Sequence, residues 1–370
     1  MSDRAYVAER ILPDEEPPAA SIGFVGWLRA NLFDGFWNSM LTVAAALILV
    51  RFVPPLVDWL FLDAVWGDAP PDACREAAGA CWAVIWEKHR LILFGRYPYQ
   101  EHWRPVLGMA ILITLVGFSC NRANWRAWLA GAWALGLAAF FALMWGGFFG
   151  LTFVPNVLWG GLPLTLLLAI IGIVVAFPVS MLLALGRRSH MPVIRAICVC
   201  YIELIRGVPL ISLLFMASFM LPLFMPTGVN MDAMLRAQIA IIMFSSAYLA
   251  EVIRGGLQAI PRGQFEAAEA IGLGYWKMQR LVILPQAIRL VIPPIVNTFI
   301  GLFKDTSLVA IVSLTDLLLA TRQAVSDPLW RAYFVEGYIF IAIIYFCFCY
   351  FMSKYSQYLE RQFYTGQTRN

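Results

Sequence analysis

Charged residues are scarce in this chain of 370 residues: they make up 14% of it, whereas hydrophobic residues make up 61%. Soluble domains contain about 25% charged residues. A soluble core could not take up so much apolar surface, so the composition excludes a soluble protein and predicts an integral membrane protein. The net charge of +4 is not gathered into a basic block interleaved with aromatics, and nucleic acid is therefore not an expected partner.

The sequence is also poor in residues that catalytic and metal sites need. It has three histidines, His89, His102 and His190, each in a predicted loop. None of them suggests a nucleophile–base pair, and no His or Cys spacing is typical of a metal site. The G-x-x-x-x-G-K-[ST] phosphate loop is missing as well. We therefore expect no enzyme activity, no metal and no cofactor bound by this chain itself.

Five of the seven cysteines lie in or beside apolar segments, where cysteine is usually a small buried hydrophobe. Cys74 and Cys81 differ, because they belong to the polar run PPDACREAAGACWAVIWEKHR. If this run faces an oxidising compartment, a disulfide can join them. The seven-residue spacing also allows two free thiols on a short helix, and both interpretations stay open at this point.

Long hydrophobic runs predict an all-α fold, because about 20 apolar residues in a helix cross a bilayer. Eight segments qualify: 36–61, 105–121, 127–148, 157–186, 196–222, 236–254, 287–313 and 335–357. Residues 1–35 lack the apolar core of a signal peptide, and IGFVGWLRANLF within them is typical of a short amphipathic helix on the membrane surface. Pro54 and Pro55 should kink the first span, and Pro209 should break the fifth.

The distribution of basic residues predicts the orientation. With the N-terminus inside, the inner segments hold 16 of the 27 Lys and Arg residues and the outer segments hold eight. This excess favours cytoplasmic N- and C-termini. The loop 62–104 then lies outside, and its composition fits a docking site for a binding protein or a plain cap equally well. The polar stretch after the sixth span lies in the cytoplasm.

That polar stretch includes EAAEAIGLGYWKMQRLVILPQA (residues 266–287). Within it and just before it, PRGQFEAAEAIG (residues 261–272) has the ends of a short helix, because Pro261 and Gly263 break the preceding segment. Glu266 and Glu269 are expected in its first turns, where the helix dipole favours acidic residues. Gly272 suits the left-handed residue that ends a helix, and Pro285 suits the start of the next one. The intervening alanines offer a surface of low profile. A solvated loop and a helix that docks in a groove of another protein both fit this pattern.

These residues resemble the EAA loop of bacterial ABC importer permeases, through Glu266, Ala267, Ala268, Gly272, Leu284 and Pro285 in the expected order. Further stretches are similar to the polar amino-acid permease subfamily, and they run in order through residues 157–360: GGLPLTLLLAI, LALGRRS, IRGVPLI, AYLAEVIRGGLQAIPRGQ and NTFIGLFKDTSL. Three spans precede this five-span core, within residues 36–156, as in the membrane subunits of general L-amino-acid transporters.

The resemblance implies the partners and the role of the loop 256–285. Such an importer contains two permease subunits, here expected to be different chains, two ATPase subunits that bind ATP and Mg, and a periplasmic amino-acid-binding protein. The loop would be a coupling helix that docks on the ATPase. The chain would be a permease in the bacterial inner membrane that moves L-amino acids from periplasm to cytoplasm, with 361–370 as a cytoplasmic tail.

Ionisable residues inside a span usually face a path or a partner. Lys304 and Asp305 suit the carboxylate and ammonium of an amino acid, with Asn297, Thr306 and Ser307 as further polar groups. Packing, a gate or a subunit interface are alternative roles for these residues. Two pairs with i,i+3 spacing, Glu203 with Arg206 and Glu251 with Arg254, are expected to share one helix face each and to anchor the inner side.

Two other functions compete with this interpretation. A stand-alone secondary transporter would usually show inverted repeats of similar length, which three spans plus five do not supply. An intramembrane enzyme would need a convergent catalytic set within the spans, whereas only the charges above are present.

Overall fold

The computed structural model describes residues 23–364, apart from Phe149, Thr227, Val229 and Asn230. The predicted tail 361–370 and the predicted cytoplasmic segment 1–35 therefore lie partly outside the described residues. The chain divides into two units. One comprises Met1–Val65 and Asp72–Cys81, and the other comprises Trp66–Pro71 and Trp82–Asn370. The predicted division at residue 156 stays a prediction.

The smaller unit contains α1 (Gly23–Asn31) and α2 (Phe36–Val57). The helix α1 covers most of the stretch for which a short surface helix is predicted. No side chain of α2 is buried, and its apolar surface suits a lipid environment. Pro54 and Pro55 lie inside α2, which continues into a π-helical turn at Asp58–Leu62, so the first span runs over Phe36–Leu62.

A disulfide joins Cys74, in the short helix α3 (Pro71–Glu76), to Cys81, and their Cα atoms are 5.5 Å apart. Both cysteines are buried. Gly79 lies against the backbone of Asp63, where a Cβ atom would come within 2.3 Å of the carbonyl. The loop therefore folds back tightly on the end of the first span.

Reduction is expected to expose both thiols of this loop. Alkylation of the denatured protein, followed by intact-mass measurement, should add two more labels after reduction than before it. A Cys74→Ser/Cys81→Ser double variant should show no such gain. Equal labelling of the natural chain with and without reductant would contradict the disulfide.

The larger unit begins with α4 (Ala83–Phe94), α5 (Trp103–Cys120) and α6 (Ala127–Trp145). The spans α5 and α6 pack through glycines: Gly108 meets the ring of Phe140, and Gly136 meets Leu115. The guanidinium of Arg104 is fully buried and donates to the carbonyls of Leu143 (2.6 Å) and Thr152 (2.9 Å). Because the last carbonyls of a helix have no intrahelical donors, this arginine caps the end of α6.

The core is built around α7 (Gly161–Arg187), which packs against α10 (Ala233–Gln258), α8 (Pro192–Arg206), α14 (Ile292–Asp305) and α15 (Leu317–Ala324). Its close approach to neighbours depends on small residues. At Gly161, which has a φ of +63°, a Cβ would come within 2.2 Å of the Leu93 carbonyl. Leucine, isoleucine and phenylalanine side chains fill the space between these helices.

The predicted fifth span, 196–222, is not one helix. The helix α8 ends at Arg206, and α9 (Leu210–Phe215) continues through π and 3₁₀ turns to Phe224 at an angle of 103°. Pro209 lies at this break. Because proline has no backbone N–H, it cannot continue the hydrogen bonds of α8. The predicted break at Pro209 is therefore confirmed.

After α10 come α11 (Arg262–Ala270), α12 (Tyr275–Met278) and α13 (Leu284–Leu290), with a π-helical turn at Gln279–Ile283. Pro293 and Pro294 lie near the start of α14, which follows a break at Val291 and passes into a 3₁₀ turn at Thr306–Val312. The last helix is α16 (Phe334–Tyr364). Seven helices of the described chain could cross a membrane, or eight if α8 and the α9 segment form one bent span.

Candidate functional site

The polar segment between α10 and α14 is an ordered structure. The helix α11 begins at Arg262, directly after Pro261, and ends at Ala270. Gly272 has a φ of +76°. Its N–H donates to the Glu269 carbonyl (2.9 Å), and the Leu273 N–H donates to the Ala268 carbonyl (3.1 Å). These two bonds form a Schellman motif, which requires a left-handed residue at the position of Gly272.

The faces of α11 have different surroundings. Ala268 is buried against Met278, Ile283 and Leu257, and Phe265 is half-buried against the same cluster. Glu266, Ala267, Glu269 and Ala270 are exposed, and so is Ile271, at 75%. The segment therefore presents two alanines, two glutamates and Ile271 outward, while Ala268 and Phe265 pack its inner face against the protein.

The predicted start of this helix after Pro261 is confirmed, whereas neither Glu266 nor Glu269 lies in its first turn, which was expected to be acidic. Leu284 and Pro285 form the start of α13, as predicted for the proline. The side chain of Gln286 donates to Gln264 Oε1 (3.1 Å), so α13 and α11 are joined directly, which the sequence pattern did not show.

Five charged side chains meet where α7, α8 and α10 come together. Glu251 is 14% exposed and lies 2.9 Å from Arg187 and 2.8 Å from Arg254. Glu203 lies 2.7 Å from Arg187, and Arg206 lies 3.9 Å from Glu251. We call these five residues the inner charge cluster.

The inner charge cluster partly corrects the predicted pairs. Glu251 and Arg254 pair as their i,i+3 spacing predicts. Glu203 instead pairs with Arg187, and Arg206 pairs with Glu251, both across helices. Arg187 was missed because it stands alone at the end of α7, where sequence spacing offers it no partner. Its bonds to both glutamates join three helices.

The polar residues of the seventh span differ in accessibility. Asn297 and Lys304 are exposed, whereas Asp305 and Ser307 are half-buried. Thr306 is fully buried, and its hydroxyl donates to the Phe303 carbonyl (2.7 Å). The Ser307 hydroxyl donates to the Lys304 carbonyl (2.8 Å). Lys304 and Asn297 are thus open to a substrate or a partner, while Thr306 packs in the interior of the subunit. The substrate contact predicted for Thr306 stays a prediction.

Asp316 is a further polar residue, for which the sequence analysis predicted no role. It is fully buried, and its carboxylate accepts from the N–H groups of Leu318 and Leu319 (both 3.0 Å), which caps α15. Burial raises its pKa to about 6. The Thr165 hydroxyl of α7 accepts from the Leu317 N–H (3.1 Å). The Asp316 carboxylate thus fixes the start of α15, and the Thr165 hydroxyl joins that start to α7.

The cap predicts the behaviour of two Asp316 variants. Asp316→Ala removes the acceptor for the Leu318 and Leu319 N–H groups and should lower the free energy of unfolding by about 1 kcal/mol or more. Asp316→Asn keeps a side-chain oxygen that can accept these bonds. A folded pKa above the unfolded value of about 3.9 means that this carboxyl favours the folded state less as pH rises from about 4 to about 6. The melting temperature of Asp316→Asn should therefore fall less over this range than that of the natural chain. Parallel curves would contradict the raised pKa.

The described chain is thus a set of helices apolar enough to span a membrane, with the exposed helix α11 between two of them. The chain belongs to the family of binding-protein-dependent transport system inner membrane components, whose model matches residues 176–363. It is the permease subunit of an ABC importer.

Two relatives by sequence, YhdY and BztC, agree with this assignment. The inner membrane amino-acid ABC transporter permease protein YhdY of Escherichia coli K12 is 51% identical over 92% of this chain and 94% of its own. The glutamate/glutamine/aspartate/asparagine transport system permease protein BztC of Rhodobacter capsulatus is 40% identical over 98% of this chain and 99% of its own. A solved amino acid ABC transporter with histidines is 34% identical, covers 55% of this chain and 92% of its own, and has a TM-score of 0.49.

Proposed function

We propose that this chain moves polar L-amino acids from periplasm to cytoplasm, together with a second, related permease subunit, two ATPase subunits and a periplasmic binding protein. The observation that carries the proposal is α11: an exposed short helix whose outer face combines alanines with Glu266 and Glu269, whose inner face is packed through Ala268 and Phe265, and which ends at the left-handed Gly272. Such a surface suits insertion into a groove of another protein. ATP and Mg would be bound by the ATPase partner.

Coupling would proceed by rigid-body motion. The segment from α11 to α13 is held by the Gln264–Gln286 bond and by the buried cluster around Ile283. It lies between α10 and α14. A displacement of α11 by closing ATPase subunits would therefore pass to both of these spans. Tilting of α10 and α14 would open and close the path across the membrane.

The relatives' names support amino acids as the substrate class, since YhdY is named for amino acids and BztC for glutamate, glutamine, aspartate and asparagine. In this chain, the exposed Lys304 would attract the substrate carboxylate, with Asn297 about two turns away on the same helix. The excess of basic residues in the segments assigned inside supports cytoplasmic termini.

Neutralising Lys304 is expected to lower uptake without disturbing the subunit. Lys304→Met keeps the length of the side chain and removes its charge. Because Lys304 is exposed, the complex should still assemble, while the substrate concentration for half-maximal uptake rises about tenfold. Arg195→Met, at an exposed position of α8, serves as the matched control. Loss of assembly in Lys304→Met would instead indicate a subunit contact.

The proposal as a whole is tested by purification in mild detergent from the native membrane. Mass spectrometry should identify an ATPase and a second permease with this chain, and liposomes containing the complex should accumulate amino acid only with ATP and binding protein. A chain that purifies alone and transports without ATP would contradict the proposal and favour a secondary transporter.

A further inference from the structure

A groove of about 790 Å³ opens within the larger unit between α7, the α13–α14 segment, α16 and the turn at Arg122–Asn124. Its walls are apolar, with Ile173 and Phe177 on α7, Ile295 and Phe299 on α14, and Met352 on α16. The Tyr355 hydroxyl donates to the Cys120 carbonyl (3.2 Å) and holds α16 to the end of α5. The groove is thus bounded by helices that are joined to each other.

Two arginines supply all the charge along this groove. Arg122 and Arg289 line it, and no carboxylate does so among the described residues. Arg122 lies two residues beyond the span Trp103–Cys120, and Arg289 lies three residues before the span Ile292–Val312. Both therefore lie at the membrane surface, at the end of the groove that also contains Trp125. Tryptophan is typical of this interfacial level.

The apolar wall of the groove along α14 fits within one leaflet. Ile292 and Phe299 both line the groove and are seven residues apart in α14, so at a rise of about 1.5 Å per residue they are separated by about 10 Å. One leaflet provides about half of the hydrocarbon core of about 30 Å. A charged mouth and an apolar wall of this length suit a phospholipid headgroup and the first part of an acyl chain.

We propose that this groove binds an anionic phospholipid of the inner leaflet. The guanidinium groups of Arg122 and Arg289 contact its phosphate, because their planar donors suit phosphate oxygens. Its acyl chain lies along Ile295 and Phe299. Basic pockets between spans on the cytoplasmic side commonly take such headgroups. The assignment to the inner leaflet rests on the orientation proposed above.

A lipid at this site would contact the moving part of the subunit. Arg289 and Ile288 belong to α13, which follows the π-helical turn Gln279–Ile283 without a gap. The Gln264–Gln286 bond joins α13 to α11. Occupancy of the groove would therefore stabilise one position of the segment that follows α11.

The first test is native mass spectrometry of the purified complex, incubated with phosphatidylglycerol or phosphatidylcholine of identical acyl chains. The natural chain should retain phosphatidylglycerol about tenfold better than phosphatidylcholine, and Arg122→Gln/Arg289→Gln should lose this preference. Arg195→Gln, which removes an exposed arginine outside the groove, should keep it. Equal retention of the two lipids, or equal loss in the control, would overturn the proposal.

A second variant fills the apolar wall and leaves the arginines in place. Val174 lines the groove and is 47% exposed. In Val174→Trp the larger side chain should occupy the space of the acyl chain, so retention of phosphatidylglycerol should fall about tenfold. Unchanged lipid retention would overturn the proposal. Loss of the second permease with unchanged lipid would identify the groove as a subunit contact. Because lipid retention is measured without transport, the result does not depend on the proposed uptake activity.

Discussion

Uptake by the complex is expected to fall at least about tenfold when Gly272 is replaced by valine. Gly272 has a φ of +76°, and a β-branched residue held in this region costs about 1–3 kcal/mol. A cost of about 1.4 kcal/mol already lowers the population of the correct turn tenfold. Without the turn, the bonds to the Ala268 and Glu269 carbonyls are lost, and the end of α11 no longer presents Ile271 in one place.

The measurement is ATP-driven uptake into liposomes, with assembly followed by size-exclusion chromatography. Gly272→Asn should keep most of the activity, because asparagine adopts the left-handed conformation more readily than other residues with a side chain. Gly263→Ala, within α11, should be nearly neutral, because an added Cβ would meet open space there. An added Cβ at Gly272 would also meet nothing within 4 Å, so equal damage by asparagine and valine would show that the left-handed turn is not the cause.

Local chemistry explains why this segment was predictable from sequence. Gly272 and Pro285 determine the backbone at their own positions, and the structure places both where the pattern predicts. The start of α11 after Pro261 was predicted as well, because proline cannot continue the preceding helix. The expectation that Glu266 and Glu269 lie in the first turn was wrong, because the dipole preference for Glu is only a few tenths of a kcal/mol to about 1 kcal/mol. Asp316 precedes the apolar run of α15, and an aspartate in this position is an equally local signal for the N-cap of a helix. The sequence analysis did not predict this cap.

Contacts between helices were far less predictable. Pro209 indicated a break in the fifth span, but the angle of 103° depends on how α9 packs beside α10. The pairs Glu203 with Arg187 and Arg206 with Glu251 connect residues that are 16 and 45 positions apart. Spacing within one helix cannot indicate such partners. The inner charge cluster therefore became visible only once α7, α8 and α10 were placed together.

The second large effect is expected at the centre of that cluster, in Glu251→Gln. Glu251 is 14% exposed and faces three arginines. Its neutralisation raises the net charge of the cluster from +1 to +2 and leaves Arg254 and Arg206 without their carboxylate. Exposed pairs contribute up to about 1 kcal/mol, whereas breaking a buried pair costs about 3–5 kcal/mol. The melting temperature of the complex should fall by several degrees, and uptake should fall with it, because α10 leads directly into α11.

Glu203→Gln is the matched control, because it removes the same charge from the same cluster. Glu203 is 55% exposed and pairs with Arg187, which keeps its bond to Glu251. Solvent screens such a pair, so Glu203→Gln should change the melting temperature by much less than Glu251→Gln, and added salt should reduce the effect further. If the two variants were equally damaging, net charge at the inner surface would matter and the junction of three helices at Glu251 would not. A large loss confined to Glu251→Gln would instead show that this half-buried carboxylate holds α10 against α7 and α8, at a helix that leads directly into α11.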